Sequence, residues 1–456
     1  MRKKYFVNTY GCQMNVHESE KIAGILKARG LCSAEKIEDA DVIVYNSCCI
    51  RATAEQRIYG HLSKVKKLKE SRPDLIAVLC GCMPQKPDAL RPLKKRFPYI
   101  DVIIGTHNLN LLGEYLDKIE DEREGGVGHY EIWESERAVC EVPVLRNNSL
   151  SAFVNIIEGC DNFCSYCIVP YVKGRERSRP AAAILDEVRG LIGRGFKEIT
   201  LLGQNVNSYR DGGTSFADLL RRLNGLGGGD FGDGGGGSGG LNESGTNGRF
   251  KLKFMTSHPK DLSEEVIKVI AEGDNLAKCI HLPVQSGSSR ILRLMNRPYT
   301  REYYIDLIKL IRKYMPSAGL SSDLMVGFPS ESEEDFLDSL RLVEEVRFNN
   351  LYTFIYNRRS GTKADLMEGQ VDEKVKIERI EKMIKVQFAI GAEDAGKCVG
   401  QVFEVLCERA EKGFIYGKSW EDRPVYFKGR KELIGKFVKV RVASSKNTKL
   451  FGEILD

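Results

Sequence analysis

The sequence predicts an α/β protein in three parts: an N-terminal doubly wound parallel sheet, a central partial (β/α)6 barrel, and a small C-terminal all-β barrel. Three observations carry this. At 456 residues the chain is too long for one average domain. Over most of its length, short Val- and Ile-rich runs alternate with amphipathic helical patterns, as buried parallel strands do between helices. Past about Gly391 the helical patterns stop and short strands follow one another directly.

In the first part, residues 1–118, strands are expected at Lys4–Thr9, Asp41–Asn46, Leu75–Leu79 and Asp101–Ile104. Helical patterns at Glu18–Arg29 and Thr53–Glu70 separate the first three. Residues 119–150 turn charged and glycine-containing, from Glu120 through Gly126, which suits a linker. The central part, residues 151–385, repeats the alternation six times, with strands at Phe153–Ile157, Glu198–Leu202, Lys251–Met255, Cys279–Leu282, Ser322–Val326 and Tyr352–Tyr356. Helices are expected at Ala182–Gly193, Ser263–Glu272, Arg301–Tyr314 and Glu333–Val346. Six units fall short of the eight in a closed barrel, so the barrel is read as partial. The stretch 225–248 follows no strand and lacks the Lys-Ser/Thr ending of a phosphate loop, so it reads as a flexible surface insertion. In the last part, residues 391–456, five strands are expected at Val402–Cys407, Phe414–Lys418, Val425–Lys428, Phe437–Val442 and Leu450–Leu455. That number and size suit a small barrel of the kind that binds nucleic acid.

Composition narrows the class. Hydrophobic residues make up 42% and charged residues 29%, which describes a chain able to bury a core and argues against a disordered or fibrous protein. The N-terminal apolar run, Tyr5-Phe6-Val7, is too short for a signal peptide, and no stretch nears the ~20 apolar residues of a membrane span. A cytoplasmic protein with no membrane partner is the expectation. Thirteen cysteines in such a compartment point to metal or redox chemistry rather than to disulfides. A net charge of +6 permits an RNA partner without requiring one.

The strongest local signal is Cys160, Cys164 and Cys167, a C-x3-C-x2-C loop directly after a strand. Three thiols on one tight loop, with no histidine or fourth cysteine beside them, suit a [4Fe–4S] cluster with one iron left open. A zinc site is the alternative, but structural zinc takes four closed ligands. A second triad is dispersed. Cys12, Cys48 and Cys82 each follow one of the first three strands, and the carboxyl ends of parallel strands converge on one edge of a sheet. Taken singly, each could be a small buried hydrophobe; together they point to a shared metal role. Of the neighbouring thiols, Cys80 is expected to pack and Cys49 is left outside the triad.

The C-x3-C-x2-C loop resembles the signature of the radical S-adenosylmethionine superfamily. With the dispersed triad, nearly the whole chain resembles the methylthiotransferases, which carry an N-terminal cluster domain, a radical barrel and a C-terminal TRAM domain. The run Cys164–Arg179 looks most like the branch that converts N6-isopentenyladenosine at position 37 of tRNA to its 2-methylthio form. The resemblance implies two [4Fe–4S] clusters, the Cys12 triad holding the auxiliary one and the Cys160 triad the radical one. It implies S-adenosyl-L-methionine chelated at the open iron and cleaved to a 5′-deoxyadenosyl radical, with sulfur supplied through the auxiliary cluster. Partners would be the tRNA anticodon loop and an electron donor such as flavodoxin or ferredoxin. Enzymes of the same chemistry that act on threonylcarbamoyladenosine or on a ribosomal-protein aspartate remain the alternative at this point. The Gly-rich insertion, Cys49 and the run Asn357–Gly361 depart from the family pattern.

No catalytic side chain is expected beyond the six ligands. Polar residues at the barrel's strand ends, Gln204, Asn205, Gln285, Ser286 and Asp323, suit the nucleoside and amino-acid parts of the cofactor, while His258 reads as a turn residue before Pro259. For tRNA the candidates are Arg175, Arg177 and Arg179 beside the cluster loop and Lys418, Arg423, Lys428 and Lys439 in the last part. Phe414, Tyr416 and Trp420 are aromatics that could stack bases.

Overall fold

In the first sheet, strands Val42–Ser47 and Ile76–Gly81 are buried along their whole length, as strands covered on both faces must be. Their side chains alternate between two cores. Val42, Val44, Ile76 and Val78 meet Ile22, Leu26 and Leu116 on one face, while Ile43, Tyr45, Ala77 and Leu79 meet Ile58, Leu62 and Phe97 on the other. The computed structural model describes residues 2–49, 52–121, 129–133, 142–227 and 249–455. Most of the Gly-rich stretch lies outside the described residues.

All pairings in this first sheet are parallel, and two short strands extend it beyond the four expected. Cys32–Ser33 adds one edge, beside Lys4–Thr9. His129–Glu131 adds the other, beside Val102–Ile104, so part of the expected linker belongs to the sheet. The chain from Val142 to Arg146 also lies on this unit: Leu145 N donates to Glu20 O at 3.0 Å.

Six parallel strands form the central barrel in chain order: Ser151–Asn155, Glu198–Leu202, Lys251–Phe254, Cys279–His281, Gly319–Val326 and Asn350–Ile355. The two three-stranded halves join where Leu252 pairs with Leu276. One apolar core, from Val154 and Ile199 through Leu252 and Ile280 to Leu324 and Val343, fills the space between strands and helices.

The expected boundary at residues 385–391 lies inside a helix. Glu373–Lys397 runs unbroken for 25 residues, about 37 Å, from the last barrel strand to the C-terminal unit. Gly391 does not stop it, because its bare Cα is needed: a Cβ there would stand 2.8 Å from Thr448 Cγ2. Five strands then close into a barrel, Val402–Glu411, Phe414–Ser419, Pro424–Lys428, Phe437–Lys446 and Lys449–Ile454, around Val405, Ile415, Phe427 and Val440.

The turn after Phe414–Ser419 presses on the amino end of the central barrel. Buried Lys251 donates from Nζ to Ser419 O at 2.6 Å, and Asp422 lies 3.8 Å from Lys251 Nζ and 3.7 Å from Lys253 Nζ. A Cβ on Gly319 would meet Glu421 O at 1.9 Å. The small barrel therefore closes the floor of the large one, opposite the strand ends that carry the cluster loop.

Candidate metal centres

The radical-type loop is fixed by backbone and amide contacts from distant sequence. Cys160 N donates to Gly174 O at 3.1 Å, Ser165 N to Met295 O at 3.0 Å, and Asn296 Nδ2 to Asn162 O and Phe163 O at 3.1 and 3.0 Å. Phe163 has φ +44°, a strained turn that these bonds hold. Two donors then aim at sulfur: Asn162 Nδ2 at Cys160 Sγ and Arg297 Nη1 at Cys164 Sγ, both at 3.4 Å. Arg297 is buried and also reaches Tyr166 OH at 3.2 Å and Pro283 O at 2.8 Å.

Burial first, and the Cys164 charge behind it, push the Cys167 thiol up to about 12; burial likewise raises Cys160. Free thiolates are thus unfavourable here unless a cation shares their charge, which is the chemistry of a thiolate-held cluster. Among the described residues no group of three His, Cys, Asp or Glu side chains is arranged to hold a single metal ion. A cubane takes one thiolate per iron, so its ligands need not meet at one point.

The dispersed triad also comes together. Cys12 caps the helix Gln13–Ala28, its Sγ 3.6 Å from Asn15 Oδ1. Cys82 N donates to Ser47 O at 2.8 Å, which sets it beside the end of the neighbouring strand. Gly11 lies so close to Cys48 that an added Cβ would be 2.6 Å from the Cys48 Cβ. Cys82 packs beside the buried Cys49. Cys80 is buried in the sheet, its Sγ donating to Tyr45 O at 3.6 Å.

The chain segments that carry the two triads meet at one seam. Cys49 and Cys82 pack against Ile168 and Val172, the residues that follow Cys167. Thr106 Oγ1 donates to Val172 O at 2.6 Å across the same seam. Lys173 is buried there and pairs with Glu18. Burial would lower its pKa, but Glu18, Cys82 and Glu158 outweigh this and keep the ammonium charged.

At the carboxyl ends of the barrel strands, several buried polar atoms have no hydrogen-bond partner: Asn155 Oδ1, Gln204 Oε1, Asn205 Oδ1, Ser257 Oγ, His258 Nε2 and Tyr356 OH. Buried polar groups are normally paired, so this set fits a polar cofactor. Gln204, Asn205 and Ser257 are among the strand-end polar residues that the sequence singles out; Asn155 and Tyr356 are not. His258 does cap its turn, Nδ1 accepting from Lys260 N at 3.3 Å, while burial and the Arg297 charge hold it far below its ordinary pKa. Asn205 Nδ2 donates to Asp261 at 2.7 Å, and Asp323 lies 3.6 Å from His281 Nε2. Gln285 is buried at φ +71°, and Ser286 Oγ accepts from Ser288 N at 3.2 Å.

The structure divides the candidate tRNA cations. Arg175 is exposed and pairs with Asp161 at 3.0 Å. Arg177 and Arg179 turn inward, Arg177 to Lys173 O at 3.2 Å and buried Arg179 to Asn155 O and Glu187 at 2.7 and 2.8 Å. Lys418 pairs with Asp422 at 3.5 Å, in the floor contact, and Arg423 lines a crevice there with Asp394 and Thr448. Lys428 and Lys439 are exposed. Trp420 stacks on Phe437 with centroids 5.5 Å apart, and Tyr416 is buried beneath Arg409; Phe414 is exposed. A cleft of about 1120 Å³ that sequence reading missed opens beside both triads, with Lys86, Arg91, Lys94, His107, Tyr171 and Arg175 on its walls.

Three family models match the chain: the Radical SAM superfamily over residues 154–343, Uncharacterized protein family UPF0004 over residues 4–105, and the TRAM domain over residues 396–455. The tRNA-2-methylthio-N(6)-dimethylallyladenosine synthase of Clostridium beijerinckii is 43% identical over 463 residues, covering 99% of this chain and 96% of the relative. That of Acetivibrio thermocellus is also 43% identical, over 100% of this chain and 91% of the relative. Among solved structures, the radical S-adenosylmethionine methyltransferase TsrM from Kitasatospora setae, with cobalamin and a [4Fe-4S] cluster bound, aligns at TM-score 0.57 and 14% identity over 91% of this chain and 81% of that one. The cobalamin-dependent S-adenosylmethionine radical enzyme OxsB aligns at 0.52 and 13% identity, over 85% and 56%. At such identities these two show likeness of fold alone.

Proposed function

The chain belongs to the family of tRNA-2-methylthio-N(6)-dimethylallyladenosine synthases, and from that premise we propose which residues serve each part of the reaction. The activity is the one for which the family is named, 2-methylthiolation of N6-dimethylallyladenosine (N6-isopentenyladenosine) in tRNA. Cys160, Cys164 and Cys167 hold the [4Fe–4S] cluster used with S-adenosylmethionine. Cys12, Cys48 and Cys82 hold a second, auxiliary [4Fe–4S] cluster through which sulfur is supplied.

Carbon 2 of adenine carries no acidic proton for a side chain to remove, so the clusters and S-adenosylmethionine supply the radical and sulfur chemistry. The chain's own groups bind, orient and exclude water. Gln204 and Asn205, with the other unpartnered polar atoms at the strand ends, receive the cofactor's nucleoside and amino-acid parts. Arg297 and Asn162 orient two of the thiolates. The apolar contact of Cys49 and Cys82 with Ile168 and Val172 keeps the seam between the triads dry, and this one contact carries the two-cluster reading. The basic cleft beside it admits the anticodon loop, so that adenosine 37 reaches the seam, with Tyr171 available for stacking. An electron donor of the flavodoxin or ferredoxin kind completes the reaction. Among the described residues no helix is long and apolar enough to cross a membrane, which accords with work in the cytoplasm.

The test has two arms. Anaerobic reconstitution should give about eight iron atoms per chain, as two [4Fe–4S] clusters require. Mass spectrometry of tRNA nucleosides from a strain lacking the protein should show N6-isopentenyladenosine without its 2-methylthio form, restored by the intact chain and not by the Cys12/Cys48/Cys82→Ala variant. Restoration by that variant would remove the auxiliary triad from the reaction.

A further inference from the structure

We propose that the buried Glu18–Lys173 ion pair is a positioning device, which holds the auxiliary triad in one register against the Cys160 loop so that both centres face the same substrate carbon. This rests on the reading that Cys12, Cys48 and Cys82 hold a second cluster.

One helix carries the connection. Cys12 is the N-cap of Gln13–Ala28, and Glu18 stands about 9 Å further along its axis. Behind Glu18 the contacts run to the auxiliary triad. Its carboxylate accepts from Asn15 Nδ2 at 3.5 Å. The Asn15 side chain also accepts from Cys12 N and donates to Ser47 O, next to Cys48, both at 3.4 Å. Ahead of Glu18, Lys173 donates to it from the end of the helix Val169–Lys173, which follows Cys167. The next carbonyl, Gly174 O, accepts from Cys160 N at 3.1 Å. A second pair grips the other side of the same loop. Lys21, one turn beyond Glu18, lies 3.9 Å from Glu158, which accepts from Asn155 Nδ2 at 2.7 Å just ahead of Cys160.

Burial points to register rather than to stability as the work of the central pair. The Lys173 and Glu18 side chains are only 9% and 10% exposed. Ions taken this far out of water gain little net stability from each other, because lost hydration offsets their attraction, and apolar residues of like size do as well. The neighbouring contact of Cys49 and Cys82 with Ile168 and Val172 is apolar, and apolar attraction has no direction. An ion pair does select an offset, since a slip of one segment past the other would leave both charges buried alone.

The experiment compares three full-length, anaerobically reconstituted proteins: the parent, Lys173→Arg, and Glu18→Leu combined with Lys173→Met. Iron content, thermal midpoint and the electron paramagnetic resonance spectrum with both clusters reduced are read for each. The magnetic interaction of two reduced clusters falls with the cube of their separation. It is seen as broadening beyond the summed spectra of the Cys160/Cys164/Cys167→Ala and Cys12/Cys48/Cys82→Ala variants. All three proteins should hold about eight iron atoms. The apolar variant should melt at or above the parent temperature, and should cleave S-adenosylmethionine without tRNA at the parent rate. Its broadening should collapse. With tRNA, its yield of methylthio product per 5′-deoxyadenosine should fall about 100-fold, the effect of a misplacement of about 1 Å. Lys173→Arg, which keeps the pair, should match the parent in every respect. Parent-like broadening or yield in the apolar variant overturns the proposal. Lost iron or a lower thermal midpoint in that variant also overturns it, by making the pair a support of the fold. A parent spectrum equal to the summed reference overturns it as well, by placing the clusters out of each other's reach. A parent with about four iron atoms and one signal overturns the two-cluster reading itself.

Discussion

A single methyl group on Gly159 would stand 1.9 Å from the Arg175 carbonyl oxygen, on a backbone with φ +81°. Glycine is the residue that accepts that conformation, and here it is also the one that fits. Gly159→Ala should therefore displace Cys160 while leaving the first sheet intact. Reconstituted anaerobically, the variant should hold about four iron atoms against about eight in the parent; full iron content would show that the loop tolerates the methyl group. The six cysteines can be singled out from sequence because thiol chemistry and spacing are written there. Arg297 was not, since its partner Cys164 lies 133 residues away and nothing local links them. Lys173, Arg177 and Arg179 read as one run of charge with Arg175, yet only Arg175 of these four is exposed. A charge run records composition, and burial is decided by what folds over it.

The strand that ends at Val326 leads into helix Glu333–Val346, whose start is tied down by Asp335. The carboxylate accepts from Ser332 N and Oγ at 2.8 and 2.6 Å and from Ser288 Oγ at 2.6 Å, and it pairs with Arg290. Burial alone would raise its pKa, but the bonds from Arg290, Ser288 and Ser332 outweigh it and hold the carboxyl well below the usual range. A carboxyl depressed in the folded state adds stability that is full above its unfolded pKa of about 3.9 and is lost as pH falls toward the folded value. Asp335→Asn should cost about 2 kcal/mol at pH 7 in urea unfolding. That gap should hold down to about pH 5 and narrow below about pH 4; a gap independent of pH would show that the charge is not what matters. At this scale most strands were legible, because continuous Val and Ile runs mark buried parallel strands. His129–Glu131 was not, since three polar or aromatic residues at a sheet edge carry no periodicity. Helix Glu373–Lys397 runs past Gly391, where the all-β part was expected to begin; the glycine there serves a close approach to Thr448 rather than a break.

Across the whole molecule, the C-terminal barrel has two sides with different work. Its inner turn, Ser419 to Arg423, seals the floor of the central barrel through Lys251, Lys253 and Asp422. Lys251 is buried, so removing the C-terminal unit would uncover it together with Glu198, and the central barrel would lose stability along with any RNA contact. Deletion of the domain therefore cannot separate RNA binding from folding, and point substitutions can. Lys428 and Lys439 are exposed, whereas Lys418 and Arg423 belong to the floor. If the outer side holds tRNA, Lys428→Ala with Lys439→Ala should weaken tRNA binding and lower the slope of log affinity against log salt by about 1.4 to 1.8, since each phosphate contact contributes about 0.7 to 0.9. Reductive cleavage of S-adenosylmethionine without tRNA should be unchanged, because neither residue touches the strand ends. Asp422→Ala should do the reverse: the thermal midpoint falls as Lys251 and Lys253 lose a buried partner, while the salt slope stays at the parent value. An unchanged affinity and slope in the double lysine variant, with Asp422→Ala destabilised as described, would make the small barrel a floor for the large one and leave tRNA binding to the cleft beside the clusters.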